Sequence, residues 1–152
     1  MTPRCPIASR LIDAPEFNVA IFAFLLNLPW EFAQVPLFAG MPSAGHWRAI
    51  QVCGRAALGD VVITLVAFWG IAIAVRLRSW MLRPTFRQVA GFVAIGVVIT
   101  ILMEWLATQI FGRWAYAEAM PVVPVLGVGL SPLLQWIVLP PLVVWFVRRQ
   151  LT

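Results

Sequence analysis

The sequence predicts an all-α fold, in which a single bundle of four helices crosses a membrane. Of the 152 residues, 62% are hydrophobic and 11% are charged, which is typical of integral membrane proteins and not of soluble domains. The chain has room for one such bundle and for no second domain. We expect a cytoplasmic tail over residues 1–16 and membrane spans over residues 17–40, 54–75, 89–111 and 130–147.

The first span carries clear signals of a helix start. Asp13 is placed to cap the helix, and Pro15 suits a first turn, where its missing amide would have had no partner. The apolar run that follows is too long for the core of a cleaved signal peptide, so we expect a retained anchor. Pro29 and Pro36 interrupt the hydrogen-bond ladder and predict a kink.

The connections between spans differ in polarity. Residues 41–52 are polar enough for a short outer loop. Residues 112–130 are rich in proline and glycine yet largely apolar, which favours a segment in the membrane interface or dipping into the membrane against protein. Four aromatic residues are expected in the interface belts, namely Trp47, Trp80, Trp114 and Tyr116.

The net charge of +5 is an orientation signal and not a nucleic-acid footprint. Its basic side chains are arginines, most of which flank the predicted spans. We expect a multi-pass protein of a bacterial inner (cytoplasmic) membrane with both termini in the cytoplasm. In that orientation three arginines lie outside, Arg48, Arg55 and Arg113, and eight lie inside, Arg4, Arg10, Arg76, Arg78, Arg83, Arg87, Arg148 and Arg149.

The few cysteine and histidine residues limit the cofactor chemistry. Two cysteines and one histidine leave no thiol-rich or multi-histidine metal site to propose. Cys5 and Cys53 would lie on opposite sides of the membrane, so no disulfide joins them. We therefore expect neither a metal nor another cofactor.

A polar seam interrupts the first apolar span. Asn27, Glu31 and Gln34 are spaced i, i+4 and i+7, so a helix places all three on one face. A carboxylate at the centre of a membrane costs at least roughly 2.5 to 3.5 kcal/mol on insertion scales. Such a residue indicates a functional site.

The other three spans carry similar polar pairs at a similar depth. Facing lipid, each would be costly, whereas facing one another they would form a polar pocket in the outer half of the bundle. The plainer alternatives are interhelical hydrogen bonds worth about 0.6 kcal/mol each and, for Asp60, a helix cap. The four pairs are Asn27/Glu31, Asp60/Thr64, Thr100/Glu104 and Ser131/Gln135.

Paired carboxylates in an apolar pocket suit acid and base chemistry. Their protonation is coupled, so one can donate a proton while the other accepts one. We expect Glu31 and Glu104 to form this pair and Asp60 to tune it. Tryptophan faces could stabilise a carbocation. The predicted substrate-binding residues are Asn27, Trp30, Gln34, Thr100, Trp105, Tyr116, Gln135 and Trp136, with Trp30, Trp105 and Trp136 lining the cavity.

The stretch Asn27-x-x-Trp30-Glu31, with Asp60 on the next helix, resembles a known family. It is similar to the small integral-membrane terpene cyclases of meroterpenoid pathways, which lack the aspartate-rich metal motif of soluble cyclases. The resemblance implies a metal-independent, proton-initiated cyclisation or isomerisation of an isoprenoid or other lipid-soluble substrate, with Glu31 as the acid. Those cyclases have more spans than the four predicted here.

A second segment, Trp114-x-Tyr116 followed by Gly127 or Gly129 and Pro132, is similar to the lycopene cyclase-like membrane family. The chain departs from that pattern at Gln135-Trp136, where the family has paired glutamates. Both resemblances imply an isoprenoid substrate.

Other functions remain open. A small transporter could use the same carboxylates to bind a cation or exchange protons, and an accessory subunit could present its polar face to a larger partner. A sterol-binding or isomerase bundle of the sigma-receptor type would show similar seams. The segment Glu31-Phe32-Ala33 is similar to Glu104-Trp105-Leu106. The bundle could therefore consist of two helical hairpins related by an internal repeat. We expect a hydrophobic or lipid ligand and no nucleic acid, and leave a homodimer open.

Overall fold

The computed structural model describes residues 13–152 and confirms the four-helix, all-α fold. Each helix is long and apolar enough to cross a membrane, so the chain is a multi-pass membrane protein. Most of the predicted tail, residues 1–12, lies outside the described residues. The helices are α1 (Pro15–Gln34), α2 (His46–Val75), α3 (Phe86–Trp105) and α4 (Leu130–Leu151).

The first helix begins at Pro15, as predicted, but Ala14 and not Asp13 occupies the capping position. The missing proline amide leaves one less donor to satisfy at this end. The α-helix continues through Pro29 to Gln34, where a 3₁₀ turn containing Pro36 follows. The first α-helix therefore ends before residue 40, the predicted C-terminal end of this span.

The second helix begins at His46 and not near residue 54, so much of the predicted outer loop is helical. Polarity suggested a loop there, but Gly45 is followed by no proline or further helix breaker before Gly54. Asp60 therefore lies well inside α2. Its interpretation as a helix cap was wrong.

The third helix begins earlier than predicted, and the fourth ends later. Thr85 and Gln88 form a reciprocal capping box that starts α3 at Phe86. A π-helical turn, Leu106–Ile110, extends α3. The fourth helix runs through both of its internal prolines to Leu151.

The connection predicted over residues 112–130 contains a short antiparallel hairpin. Strand β1 (Val122–Val123) pairs with β2 (Val128–Gly129), and Gly127 in the turn has a positive φ that suits glycine. An isolated β-bridge joins Phe38 to Tyr116. We call the end of the bundle with residues 35–45 and 111–129 the hairpin end, and the opposite end, with residues 76–85 and the C-terminus, the terminal end.

Each helix packs mainly against two neighbours around a ring, in the order α1, α2, α3, α4 and back to α1. The first and third helices therefore lie across a diagonal. Their polar residues face the centre of the ring from opposite sides. This arrangement determines which seams meet.

The half of the bundle near the terminal end contains a close-packed apolar core. Trp80 belongs to it and is fully buried, with its indole nitrogen donating to the carbonyl of Phe68 at 3.3 Å. The prediction that Trp80 lies in an interface belt was wrong, because its connection folds back beneath the helices. The terminal core comprises Val19, Ala23, Ala67, Phe68, Ile71, Ala72, Trp80, Met81, Phe92, Val143, Val144 and Val147.

Candidate functional site

The half of the bundle near the hairpin end is hollow and holds a partly open cavity of about 540 Å³. This volume is within the usual range for small-molecule sites. One face of α2 lines it for about 22 Å along the helix axis, from Arg48 to Ile63. The residues of this face are Arg48, Val52, Cys53, Ala56, Gly59, Asp60 and Ile63.

A cluster of polar side chains from three helices forms one wall of the cavity. The amide nitrogen of Gln135 on α4 lies 2.7 Å from Asn27 Oδ1, 3.0 Å from Asp60 Oδ2 and 3.2 Å from Glu31 Oε1. An amide nitrogen carries two hydrogens, so these three acceptors share two donors. We call Asn27, Glu31, Asp60 and Gln135 the carboxylate junction.

Further hydrogen bonds fix the orientation of the junction. Gln34 donates to Glu31 Oε1 at 2.8 Å and accepts from Ser131 at 2.9 Å, which links α1 to α4 a second time. Asn27 donates to the carbonyl of Ala23 at 2.8 Å. Because the side-chain nitrogen of Asn27 points to Ala23, the side-chain oxygen of Asn27 faces Gln135 and accepts from it.

The two carboxyl groups of the junction share one hydrogen-bond donor. Glu31 on α1 and Asp60 on α2 lie 3.2 Å and 3.0 Å from the same Gln135 nitrogen. This shared donor holds the two carboxyl groups side by side at the cavity wall, where one can carry a proton while the other is ionised.

Glu104 enters the cavity from α3, where it has separate partners. Its Oε2 accepts from the Tyr116 hydroxyl at 2.5 Å and from the Trp114 indole at 3.4 Å. Burial raises the pKa of Tyr116, and the hydrogen bond to Glu104 raises it further. The phenol therefore stays protonated and serves as a donor to Glu104.

The structure confirms that the polar seams converge, but it pairs them differently from the prediction. Seven of the predicted site residues line the cavity, Glu31, Gln34, Asp60, Thr100, Glu104, Gln135 and Trp136. Within residues 13–152 no hydrogen bond joins Glu31 to Glu104. The direct neighbour of Glu31 is Asp60, which had been assigned only a tuning role.

The expected lining of three tryptophans was wrong for two of them. Trp136 lines the cavity, with its ring against Gly96 of α3. Trp30 and Trp105 do not line it, and Trp105 is 46% exposed on the outside of the bundle. Each directly neighbours a cavity glutamate in sequence, and successive helical residues point in different directions.

Two other predicted substrate-binding residues do not line the cavity but hydrogen-bond to residues that do. Asn27 supports Gln135, and Tyr116 supports Glu104. Thr100 does line the cavity and is 6% exposed, yet its hydroxyl has no partner in the described part of the chain. A buried hydroxyl without a partner is uncommon.

Sequence reasoning missed the basic residues of the cavity, Arg48 and Arg113. Arg48 could have been found by stepping back from Asp60 in intervals of four residues, through Ala56 and Val52, had the start of α2 been placed correctly. Arg113 follows the end of the π-helical turn, and no periodic signal marks it.

Comparisons with known proteins add no assignment to this site. No protein-family model, curated protein or solved structure matches the chain. Over residues 13–152, no group of three or more histidine, cysteine, aspartate or glutamate side chains could hold a metal ion.

Proposed function

We propose that the protein is an integral membrane enzyme that uses its cavity carboxylates to cyclise or isomerise an isoprenoid or another lipid-soluble alkene. The observation that carries this proposal is the pairing of Glu31 and Asp60 on one Gln135 nitrogen, at the wall of a cavity that Glu104 enters from another helix. The resemblance of Asn27-x-x-Trp30-Glu31 to membrane terpene cyclases supports the same chemistry.

In this mechanism Glu31 delivers a proton to a carbon–carbon double bond of the substrate. The π electrons form the new C–H bond and leave a carbocation, which the face of Trp136 stabilises by cation–π attraction. Glu104 removes a proton from a neighbouring carbon, so the product is an isomer of the substrate. Asp60 shares the proton of Glu31, and Gln135 holds both carboxyl groups in place.

Glu104 suits the role of base because donors surround its carboxylate. Tyr116 and Trp114 both donate to it, and donated hydrogen bonds favour the ionised carboxylate that a base requires. Glu31 suits the role of acid because its neighbour Asp60 is a second carboxyl group. The two roles are thus assigned by the partners of each side chain.

The apolar terminal core favours this proposal over a transporter. A carrier needs a polar path through both halves of the membrane, whereas the core beneath the junction is made of packed hydrophobic side chains. A second depression there, beside Asn27 and Thr64, is too small to hold a water molecule. A binding protein without catalysis would keep the same cavity but form no product.

We further propose that the hairpin end faces the outside of a bacterial inner membrane. Among residues 13–152, six arginines near the terminal end against three near the hairpin end support a cytoplasmic terminal end. A C-terminal green fluorescent protein fusion should fluoresce, and an alkaline phosphatase fusion at the same point should be inactive. The opposite pair of results would reverse the orientation.

The reaction is tested with purified protein and three linear isoprenoids, geranylgeraniol, geranylgeranic acid and squalene. In D₂O we expect an isomeric product of at least one of them, carrying one deuterium from the initiating step. Glu31→Gln should lower product formation by about 100-fold or more, the usual contribution of a general acid. Glu118→Gln, an exposed carboxylate that does not line the cavity, should leave it unchanged.

Two results would contradict the proposal. No isomer from any of the three substrates would remove the assignment to isoprenoids. Equal turnover by Glu31→Gln and wild type would remove the acid role. Uptake of a labelled cation into liposomes that depends on Glu31 would instead support a transporter.

A further inference from the structure

Two arginines line the cavity near the hairpin end, on the side away from the carboxylate junction. Arg48 belongs to the first turn of α2, and Arg113 follows the π-helical turn. Both are exposed, and in the part of the chain that the structure describes neither has a carboxylate within salt-bridge distance. The guanidinium of Arg113 lies 5.6 Å from the centre of the Phe111 ring.

The position of Arg48 is electrostatically unfavourable without an anion. The amino end of a helix carries a partial positive charge, which disfavours a cation and attracts anions. The first turn of α2 contains no acidic residue, and no side chain caps it. Arg48 therefore adds a full positive charge where the backbone already supplies a partial one.

Between the arginines and the junction the cavity wall is apolar. Arg48 and Asp60 are separated by about 18 Å along α2, and the residues between them on this face include Val52, Ala56 and Gly59. A Cβ atom added at Gly59 would meet no atom within 4 Å, so space is open there. At the far end the partnerless hydroxyl of Thr100 is buried.

From this arrangement we infer that the cavity binds a single-chain amphipathic ligand with an anionic phosphate or carboxylate head group. Arg48 and Arg113 hold the head group, and the apolar chain follows α2 to the carboxylate junction, where Thr100 can bond a polar atom. The inference rests on the proposed function, because it describes the substrate class of the same site. Geranylgeranic acid belongs to this class and squalene does not.

Binding is tested with dodecyl phosphate as the probe, by native mass spectrometry of purified protein released from a neutral detergent. We expect one bound probe per protein. Arg48→Gln and Arg113→Gln should each weaken binding about tenfold, as expected for the loss of one charge-assisted hydrogen bond. Arg55→Gln is the matched control, because Arg55 is exposed on α2 but does not line the cavity.

A second pair of variants separates the cavity from the surrounding lipid. Leucine at position 59 would fill the path of the chain, whereas leucine at position 54 would not, since Gly54 is equally uncrowded but lies outside the cavity lining. We expect Gly59→Leu to weaken dodecyl phosphate binding at least tenfold and Gly54→Leu to leave it unchanged. Wild-type affinity in Gly59→Leu would place the chain in the bilayer and overturn the inference.

Comparison probes identify what the arginines recognise. Dodecanol should bind more weakly than dodecyl phosphate and should not respond to Arg48→Gln. Inorganic phosphate should not displace dodecyl phosphate at equal concentration, because it lacks the chain. Equal binding of dodecanol, displacement by inorganic phosphate, or unchanged binding in both arginine variants would each overturn the inference.

Failure of this inference can be told apart from failure of the proposed function. If the arginine variants bind the probe normally while Glu31→Gln still abolishes isomer formation, the head-group site is wrong and the acid role stands. If binding depends on the arginines while Glu31→Gln turns over normally, the acid role is wrong and the head-group site stands.

Discussion

The two halves of the bundle are built from the same four helices but are packed in opposite ways. Near the terminal end, aromatic rings fill the centre, where Trp80 contacts both Phe68 and Phe92. Near the hairpin end, the centre holds a cavity and the polar side chains of the carboxylate junction. One half is filled by packed side chains, and the other leaves space between the helices.

The space around the glycines also differs between the two halves. Near the terminal end, a methyl group added at Gly91 would lie 2.9 Å from Ile71, and between the two halves one added at Gly96 would overlap the Trp136 ring. Beside the cavity, a methyl group at Gly59 would meet nothing within 4 Å. Glycine permits close packing in one half and leaves space open in the other.

The largest expected effect on stability lies in the packed half. Phe92→Ala should lower the free energy of unfolding by about 3 to 5 kcal/mol, because the ring leaves a void beside Trp80. Met103→Ala, at the cavity and 51% exposed, should cost far less. Thermal unfolding of both variants in detergent measures the difference, and equal losses would contradict the division into two halves.

A smaller effect should follow from adding one methyl group where α3 packs against α4, at Gly96, and one beside the cavity, at Gly59. Gly96→Ala should destabilise by about 1 to 3 kcal/mol, because the Trp136 ring must move. Gly59→Ala should be neutral or slightly stabilising, since alanine favours helix more than glycine does. The same unfolding assay compares them, and a greater loss in Gly59→Ala would show that the cavity is closed in solution.

The smallest effect is a shift in titration that reports on Glu104. The chain has one tyrosine, so the ultraviolet absorbance of tyrosinate follows Tyr116 alone. Because its pKa is raised, ionisation should begin above the ordinary value of about 10. The stabilising contribution of Tyr116 is therefore complete below that pH and is lost as the pH rises through the folded-state pKa. Glu104→Gln should move the midpoint downward, and an unchanged midpoint would contradict the hydrogen bond.

Much of the architecture follows from composition and periodicity. Long apolar runs specify helices in a membrane, and the polar pairs at i and i+4 showed which faces meet, as in Asn27/Glu31 and Gln135. The start of α2 was missed because polarity around His46 resembles a loop. That error hid Arg48 from the cavity and gave Asp60 the wrong place in its helix.

The choice of carboxylate pair could not be predicted from spacing. Glu31, Asp60 and Glu104 lie at similar depths, and only the order of helices around the ring decides which are neighbours. Because α1 packs beside α2 and across from α3, Glu31 meets Asp60. Residues beside a cavity glutamate in sequence, such as Trp30 and Trp105, were expected to line it and instead point elsewhere.

The most direct test of the account is to fill the hollow half and leave every carboxylate intact. Isomer formation from the linear isoprenoids in D₂O would be compared between Gly59→Leu and Gly54→Leu. We predict that Gly59→Leu loses deuterium incorporation into the product, while Gly54→Leu retains the wild-type rate. Equal incorporation by the two variants would show that the reaction does not take place in this cavity.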